Sequence, residues 1–76
     1  MFSYETKHCF AVQVVSGYRI YLRTSDGNKQ IDHVFDPREA EERCDYISSS
    51  IEIALDNNDV STEEEAIAQL ETAGVI

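Results

Sequence analysis

The segment YRIYLRTSDGNKQIDHVFDPRE, residues 18–39, contains the two transitions that decide the fold. Side chains alternate between apolar and polar in YRIYLRT and again in KQIDHVF, which is typical of strands with one buried face. Between these runs, residues 25–28, SDGN, supply the positive-φ positions of a tight hairpin turn. The alternation ends at Asp36 and Pro37, where a helix is predicted to begin.

Upstream of this segment, the run CFAVQVV at residues 9–15 predicts one more strand. Ser16 and Gly17 separate it from the next run, so the three strands are expected to form an antiparallel meander. On the middle strand Tyr18, Ile20 and Leu22 share one face because side chains alternate along a strand. Arg19, Tyr21 and Arg23 share the other, which we expect to face solvent.

The first predicted helix begins at several agreeing signals. Asp36 is a suitable N-cap, Pro37 fits the first helical position, and Glu39 stands where a capping box places its carboxylate. Apolar residues then recur every three or four positions, which places one stripe toward the sheet. The stripe consists of Ala40, Cys44, Ile47, Ile51, Ala54 and Leu55. The helix is predicted to end near Asp56.

A second helix is predicted after the break at residues 57–59, with Ser61 as N-cap and Glu64 closing the capping box. Gly74 followed by Val75 is typical of a C-terminal glycine cap. The expected buried face of this second helix consists of Ala66, Ile67, Leu70 and Ala73. The sequence thus predicts an α+β fold in a single domain, residues 1–76: a three-stranded antiparallel β-meander followed by two α-helices packed on one face (βββαα).

Acidic residues are distributed unevenly along the chain. Fifteen Asp and Glu stand against six Lys and Arg, a formal net charge of -9. Residues 1–31 hold two acids and four bases, whereas residues 32–76 hold 13 acids and two bases, and no Lys or Arg follows Arg43. A field of this kind repels nucleic acid and anionic membranes and attracts basic protein surfaces, with a strength that salt weakens.

The outer face of the first helix is predicted to carry a row of carboxylates, here called the acidic rail. At about 100° per residue its members fall within about 60° of one another and span about 22 Å. The acidic rail consists of Glu41, Asp45, Glu52 and Asp56. This density is far below that of duplex DNA, with one phosphate per ~1.7 Å, so a partner-binding surface needs further carboxylates. Those available are Asp59, Glu63, Glu64 and Glu65. Alternatively, acids in a first turn simply complement the helix dipole.

Two further groups are candidates for a secondary interface. Tyr46 and Ile53 lie one heptad apart on the flank of the first helix, outside the apolar stripe. We expect the second helix to cover them; if it does not, they form an apolar patch beside the acidic rail, typical of a binding site or homodimer seam. Tyr21, between Arg19 and Arg23, belongs either to a polar protein interface or to a surface that stacks single-stranded bases. The net charge of -9 disfavours direct binding of nucleic acid.

No metal site, cofactor site or catalytic site is expected. His8, Cys9, His33 and Cys44 are the soft metal ligands of the chain, but their spacing matches no zinc finger or ribbon. Cys9 lies in a strand and Cys44 on the apolar stripe, which predicts two reduced, packed thiols. The carboxylates lie in hydrophilic stretches, whereas a general acid needs apolar surroundings that raise its pKa.

Hydropathy along the chain predicts a cytoplasmic protein. No apolar run approaches the ~20 residues that a membrane span requires. The N-terminal sequence MFSYETKHCF has no basic segment followed by an apolar one, as a secretory leader would.

In kind, the chain resembles the small acidic single-domain proteins that phages use against host defence, particularly the anti-CRISPR proteins. The resemblance covers the overall size, the acidic second half and the order of a sheet followed by two helices. It implies a stoichiometric inhibitor that docks on Lys and Arg clusters of a CRISPR-Cas surveillance or effector complex, by charge or DNA mimicry.

From the residues alone, we predict a non-enzymatic acidic protein that binds a basic, nucleic-acid-binding surface of a protein partner and blocks it. The alternative is a small adaptor or antitoxin-like subunit that binds through a sheet edge or through the apolar helix flank. The first mode of binding is sensitive to salt, and the second survives moderate salt.

Overall fold

Four antiparallel strands in the order β1-β2-β3-β4 form one sheet, and two helices follow them in the chain. The computed structural model describes residues 3–76, so the predicted domain of residues 1–76 extends two residues beyond it. The elements are β1 Ser3–Glu5, β2 Cys9–Val14, β3 Gly17–Thr24, β4 Gly27–Val34, α1 Pro37–Asp56 and α2 Glu63–Thr72. The predicted α+β class, with an antiparallel sheet followed by two helices, is confirmed.

The predicted number of strands is wrong, because β1 precedes the three expected strands. This strand of three residues pairs with β2, with Ser3 opposite Val12 and Glu5 opposite Phe10. Three residues are too few to show a period of two, so pairing with β2 rather than local pattern defines this strand.

The β2–β3 and β3–β4 turns each consist of two residues followed by a glycine at positive φ. In the first turn Val14 pairs with Gly17, so the loop is Val15 and Ser16, one residue earlier than predicted. In the second, Thr24 pairs with Gly27. The φ angles of Gly17 and Gly27 are +117° and +116°, a region of backbone conformation that residues with a Cβ rarely adopt.

The core lies between one sheet face and the two helices. Ile20 and Leu22 on β3 are fully buried and Arg19 is exposed, which confirms the predicted alternation of that strand. On β4 the register shifts, since Ile20 pairs with Asp32 whereas Tyr21 pairs with Gln30. The remaining core residues are Cys9, Ala11, Val34, Ala40, Cys44, Ile47, Ile51, Val60, Ala66 and Ile67.

Helix α1 follows the prediction closely. Asp36 is the N-cap and its carboxylate accepts a hydrogen bond from the Arg38 N–H at 2.9 Å. The stripe faces the sheet, with Ser48 as a buried polar member that the apolar pattern did not include. The helix ends after Asp56 in a Schellman arrangement, in which Asn58 has a φ of 59° and its N–H bonds the carbonyl of Leu55.

Helix α2 differs from the prediction at both ends. Thr62, not Ser61, is the N-cap and accepts a hydrogen bond from the Glu65 N–H at 3.3 Å. Both residues are good caps, so sequence alone does not choose between them. Ala73 is the exposed C-cap rather than a core residue. The C-terminal glycine cap is confirmed, since the Val75 N–H bonds the Leu70 carbonyl at 2.9 Å.

Candidate protein-binding surfaces

Four of the six basic residues form ion pairs within the molecule. The pairs are Lys7–Glu52 at 3.2 Å, Lys29–Glu71 at 3.0 Å, Arg43–Asp32 at 2.9 Å and Arg23–Glu5. Among residues 3–76, Arg19 and Arg38 have neither an ion pair nor a side-chain hydrogen bond. The basic residues therefore neutralise four carboxylates and leave most of the acidic surface uncompensated.

The acidic rail divides into two engaged and two open carboxylates. Asp45 accepts a hydrogen bond of 2.6 Å from the Tyr4 hydroxyl, and Glu52 contacts Lys7 and the His8 ring. Across the described chain, Glu41 and Asp56 have no hydrogen bond or ion pair from their side chains, and both are exposed. A partner would thus meet free charge near the two ends of the acidic rail and charge already held by the sheet between them.

His8 joins the first and second helices, a contact that sequence reasoning missed. Its ring is buried, with Nε2 2.9 Å from Glu52 and Nδ1 3.5 Å from Glu63. Its backbone N–H donates to the Ser48 hydroxyl at 3.2 Å. One ring therefore brings the acidic rail and the start of α2 onto one continuous surface. No local signal reveals this contact, because His8 and Glu52 lie 44 positions apart.

The contacts of the two engaged carboxylates shift the pKa values of Glu52 and Tyr4. The hydrogen bond from His8, followed by that from Lys7, lowers the pKa of Glu52 below its ordinary value of 4.5. The hydrogen bond to Asp45 is the main cause that raises the pKa of Tyr4 to about 12. Both effects favour the protonation states, Glu52 carboxylate and Tyr4 phenol, that link α1 to the N-terminal strands.

The remaining predicted partner-binding acids lie at the end of α1 and the start of α2. Asp59 is exposed in the connection, and Glu63, Glu64 and Glu65 form the exposed first turn of α2. That turn lies at the positive end of the helix dipole, which favours three adjacent carboxylates there. Glu64 and Glu65 have no side-chain partner in the part of the chain that the structure describes. They extend the open charge beyond Asp56.

The expectation that α2 covers Tyr46 and Ile53 is wrong. Their exposed fractions are 55% and 58%, among the largest of the apolar and aromatic residues in the described chain. Both point away from the sheet because they lie on the side of α1 opposite its buried stripe. A groove of about 350 Å³ runs beside Ile53, and its walls include Asp45 and Glu52. The apolar patch therefore adjoins the acidic rail.

On the face of the sheet that the helices do not cover, the side chains of the sheet contact one another. Tyr21 is half-buried and stacks on Phe10 with ring centroids 5.2 Å apart. The Arg23 guanidinium lies 4.9 Å from the centre of the Phe10 ring, and it also donates to the Thr6 carbonyl at 2.7 Å. Arg19 is thus the one member of the predicted row that stays free, within residues 3–76. The row lacks the open stacking platform that single-stranded bases require.

The fold places the four soft metal ligands in different surroundings. Cys9 and Cys44 are free thiols in the core, and His33 lies on the exposed side of the sheet with Nε2 2.7 Å from the Ser16 carbonyl. Within the described residues, no group of three or more His, Cys, Asp and Glu side chains has the arrangement of a metal site. Neither helix among residues 3–76 combines the length and apolar character needed to cross a membrane.

Comparisons of the chain with protein-family models, with curated proteins and with solved structures find no match.

Proposed function

We propose that this chain is a non-enzymatic acidic protein that binds a basic, nucleic-acid-binding surface of a protein partner and blocks it. The observation that carries the proposal is the open acidic surface formed by α1 and the start of α2. Its open carboxylates are Glu41, Asp56, Asp59, Glu64 and Glu65. No Lys or Arg follows Arg43, and Arg43 itself is held by Asp32.

The proposed mechanism is competitive. Open carboxylates occupy Lys and Arg side chains that would otherwise hold phosphates, and the summed field accelerates encounter with the partner. Single exposed charges contribute little to affinity, about 0–1 kcal/mol each, so the effect is collective and sensitive to salt. Because Asp45 and Glu52 are engaged by Tyr4 and Lys7, the surface presents separated charges rather than a continuous row. It therefore acts on individual basic side chains.

In its most specific form, the proposal is a phage anti-CRISPR-type inhibitor acting on a CRISPR-Cas complex in the bacterial cytoplasm. Support comes from the small size and from the -9 net charge concentrated in the helical half. Part of that charge stays open on exposed positions of α1 and in the first turn of α2. The proposal requires no cofactor and no direct contact with nucleic acid.

The test is an affinity pull-down of the tagged chain from bacterial lysate, with and without competing DNA, eluted along a salt gradient. We expect a DNA-binding complex that DNA displaces and that leaves between low and moderate salt. The triple variant Glu41→Lys, Asp56→Lys, Glu64→Lys should lose this partner while it keeps the fold, because none of the three side chains has a partner within residues 3–76. Retention of the partner by that variant contradicts the proposal.

A matched control isolates position from net charge. Val15 lies exposed on the β2–β3 turn and belongs to neither helix. Val15→Lys changes the net charge by the same amount as Asp56→Asn. We expect Asp56→Asn to shift elution to lower salt by more than Val15→Lys does. Equal shifts would assign the binding to overall charge.

The second candidate is an adaptor or antitoxin-like subunit. The exposure of Tyr46 and Ile53 favours its apolar-flank form. The sheet-edge form is less favoured at both edges of the sheet. Edge strand β4 carries a register shift beside Ile31 and a partly buried ion pair at Asp32, and edge strand β1 has only three residues, features that hinder strand addition. A partner that resists both DNA and moderate salt in the same pull-down supports this candidate.

A further inference from the structure

The exposed face of α1 combines apolar and acidic side chains in one line, here called the exposed seam. Its members are Glu42, Tyr46, Ser49, Ile53 and Asp56. They recur at spacings of four, three, four and three, and at about 100° per residue they lie within about 80° of one another. This is the spacing with which one helix packs along another. All five residues are exposed.

We infer that the exposed seam is a docking site for an amphipathic, basic helix of the partner, an inference that rests on the proposed function. Tyr46 and Ile53 offer two apolar contacts about 10 Å apart, with the small Ser49 between them, which lets a second helix approach closely. Open carboxylates lie at both ends, at Glu42 and Asp56. Apolar contact thus fixes the register, and charge selects a Lys-rich or Arg-rich helix.

The groove beside the exposed seam has the chemistry to hold one basic side chain of that helix. It has a volume of about 350 Å³ and is open to solvent along α1. Its walls are formed by Thr6, Asp45, Ser48, Ser49, Glu52 and Ile53. Tyr4 occupies Oδ1 of Asp45, which leaves its Oδ2 and the Ser49 hydroxyl to a Lys or Arg head, and the Ile53 side chain suits the aliphatic stem of that residue.

Charge excludes a second copy of this chain as the occupant. In an antiparallel pair centred on Ser49, Glu42 of one copy would meet Asp56 of the other. In a parallel pair each acid would meet its own equivalent. Like charges in direct opposition oppose association, and among residues 3–76 the nearest base without an ion pair, Arg38, lies one turn outside the exposed seam. A basic occupant removes this repulsion.

The test uses two labelled peptides of the same composition, made of Leu, Ala and Lys. In the first, Leu recurs every three or four residues to form one apolar face; in the second, the order is rearranged so that no apolar face exists. Fluorescence anisotropy at low salt measures the affinity of each peptide for the full chain. We expect the amphipathic peptide to bind about tenfold more tightly, and Tyr46→Ser with Ile53→Ser to remove that advantage.

A control variant removes two apolar side chains elsewhere. Val15 and Phe35 are exposed at 108% and 75% and lie outside α1, on the β2–β3 turn and directly after β4. Val15→Ser with Phe35→Ser should leave the tenfold advantage unchanged, and circular dichroism verifies that both double variants are folded.

The outcomes separate this inference from the proposed function. One outcome is that both peptides bind equally well and that the Glu41→Lys, Asp56→Lys, Glu64→Lys variant binds neither. This outcome supports the proposed acidic surface and overturns the exposed seam. Absence of binding by either peptide overturns both. A dimer of the free chain that Tyr46→Ser and Ile53→Ser dissociate, seen by sedimentation velocity, also overturns the choice of occupant.

Discussion

The sheet and the two helices differ in their balance of acidic and basic residues. Residues 3–35, which form the sheet, carry three acids and four bases, whereas residues 36–76, which form the helices, carry 12 acids and two bases. Three of the four ion pairs join the two layers: Lys7–Glu52, Lys29–Glu71 and Arg43–Asp32. Three of the six bases thus connect the two layers, while the surplus acids lie on exposed positions of the helices.

The largest expected effect comes from the apolar joint between the layers. Ile51 is fully buried on the core-facing side of α1, and Ile51→Ala should lower the free energy of unfolding by about 2–5 kcal/mol. Ile53, two residues further along the same helix, is 58% exposed, and Ile53→Ala should change it by no more than about 0.5 kcal/mol. Urea denaturation of both variants measures the contrast. Similar losses for the two would contradict the described orientation of α1.

Within the sheet, two glycines with the same φ should respond differently. A Cβ on Gly17 would lie 2.5 Å from the Val34 carbonyl oxygen, whereas at Gly27 no atom lies within 4 Å of such a Cβ. Gly27→Ala should cost about 1–2 kcal/mol for backbone strain alone, and Gly17→Ala roughly 1–3 kcal/mol more because of overpacking. Thermal unfolding compares them. A larger loss of stability for Gly27→Ala than for Gly17→Ala would contradict this expectation.

The ion pair of Glu52 should make the joint between the layers dependent on pH. Its folded-state pKa is lowered by His8 and Lys7, so its contribution is present above about 4.5 and is lost as the pH falls through the folded pKa. Glu52→Gln should therefore be less stable than the wild type near neutral pH and approach it near pH 3. Urea midpoints at both pH values measure this. Glu41→Gln, which removes an open carboxylate, serves as the control and should show no such convergence.

The smallest effect on stability is expected for the outer acids. Glu41→Gln, Asp56→Asn and Glu64→Gln together change the net charge from -9 to -6 without breaking an ion pair within residues 3–76. The free energy of unfolding should stay within about 0.5 kcal/mol or rise slightly, because repulsion among the carboxylates decreases. Differential scanning calorimetry at low and high salt measures it, and a clear loss would show that these side chains hold the fold.

The sequence predicted what local pattern controls. The cap at Asp36, the stripe from Ala40 to Ile51 and the glycine cap at Gly74 each follow from residues within a few positions of one another, and all three are observed. The alternation of β3 also survives, because the register shift beside Ile31 changes β4 and leaves β3 regular.

Features set by distant contacts were not predictable in this way. β1 exists through its pairing with β2, and the engagement of Glu52 depends on a ring 44 residues away. Tyr46 is exposed because α2 packs Ala66 and Ile67 into the core with the buried stripe of α1 rather than over Tyr46, and no periodicity in α1 encodes that path. The open members of the acidic rail could therefore be located only once the tertiary contacts were known.

The reactivity of the two buried thiols reports how often the sheet and the helices separate. Cys9 lies in β2 and Cys44 in α1; both are fully buried, and burial raises their pKa values to about 12 and about 11. A thiol reagent needs both access and the thiolate form, so neither residue should react while sheet and helix stay packed. The rate of labelling under native conditions therefore counts opening events, one reporter on each side of the joint. A partner that clamps the outer face of α1 should slow both reporters together, without touching either sulfur.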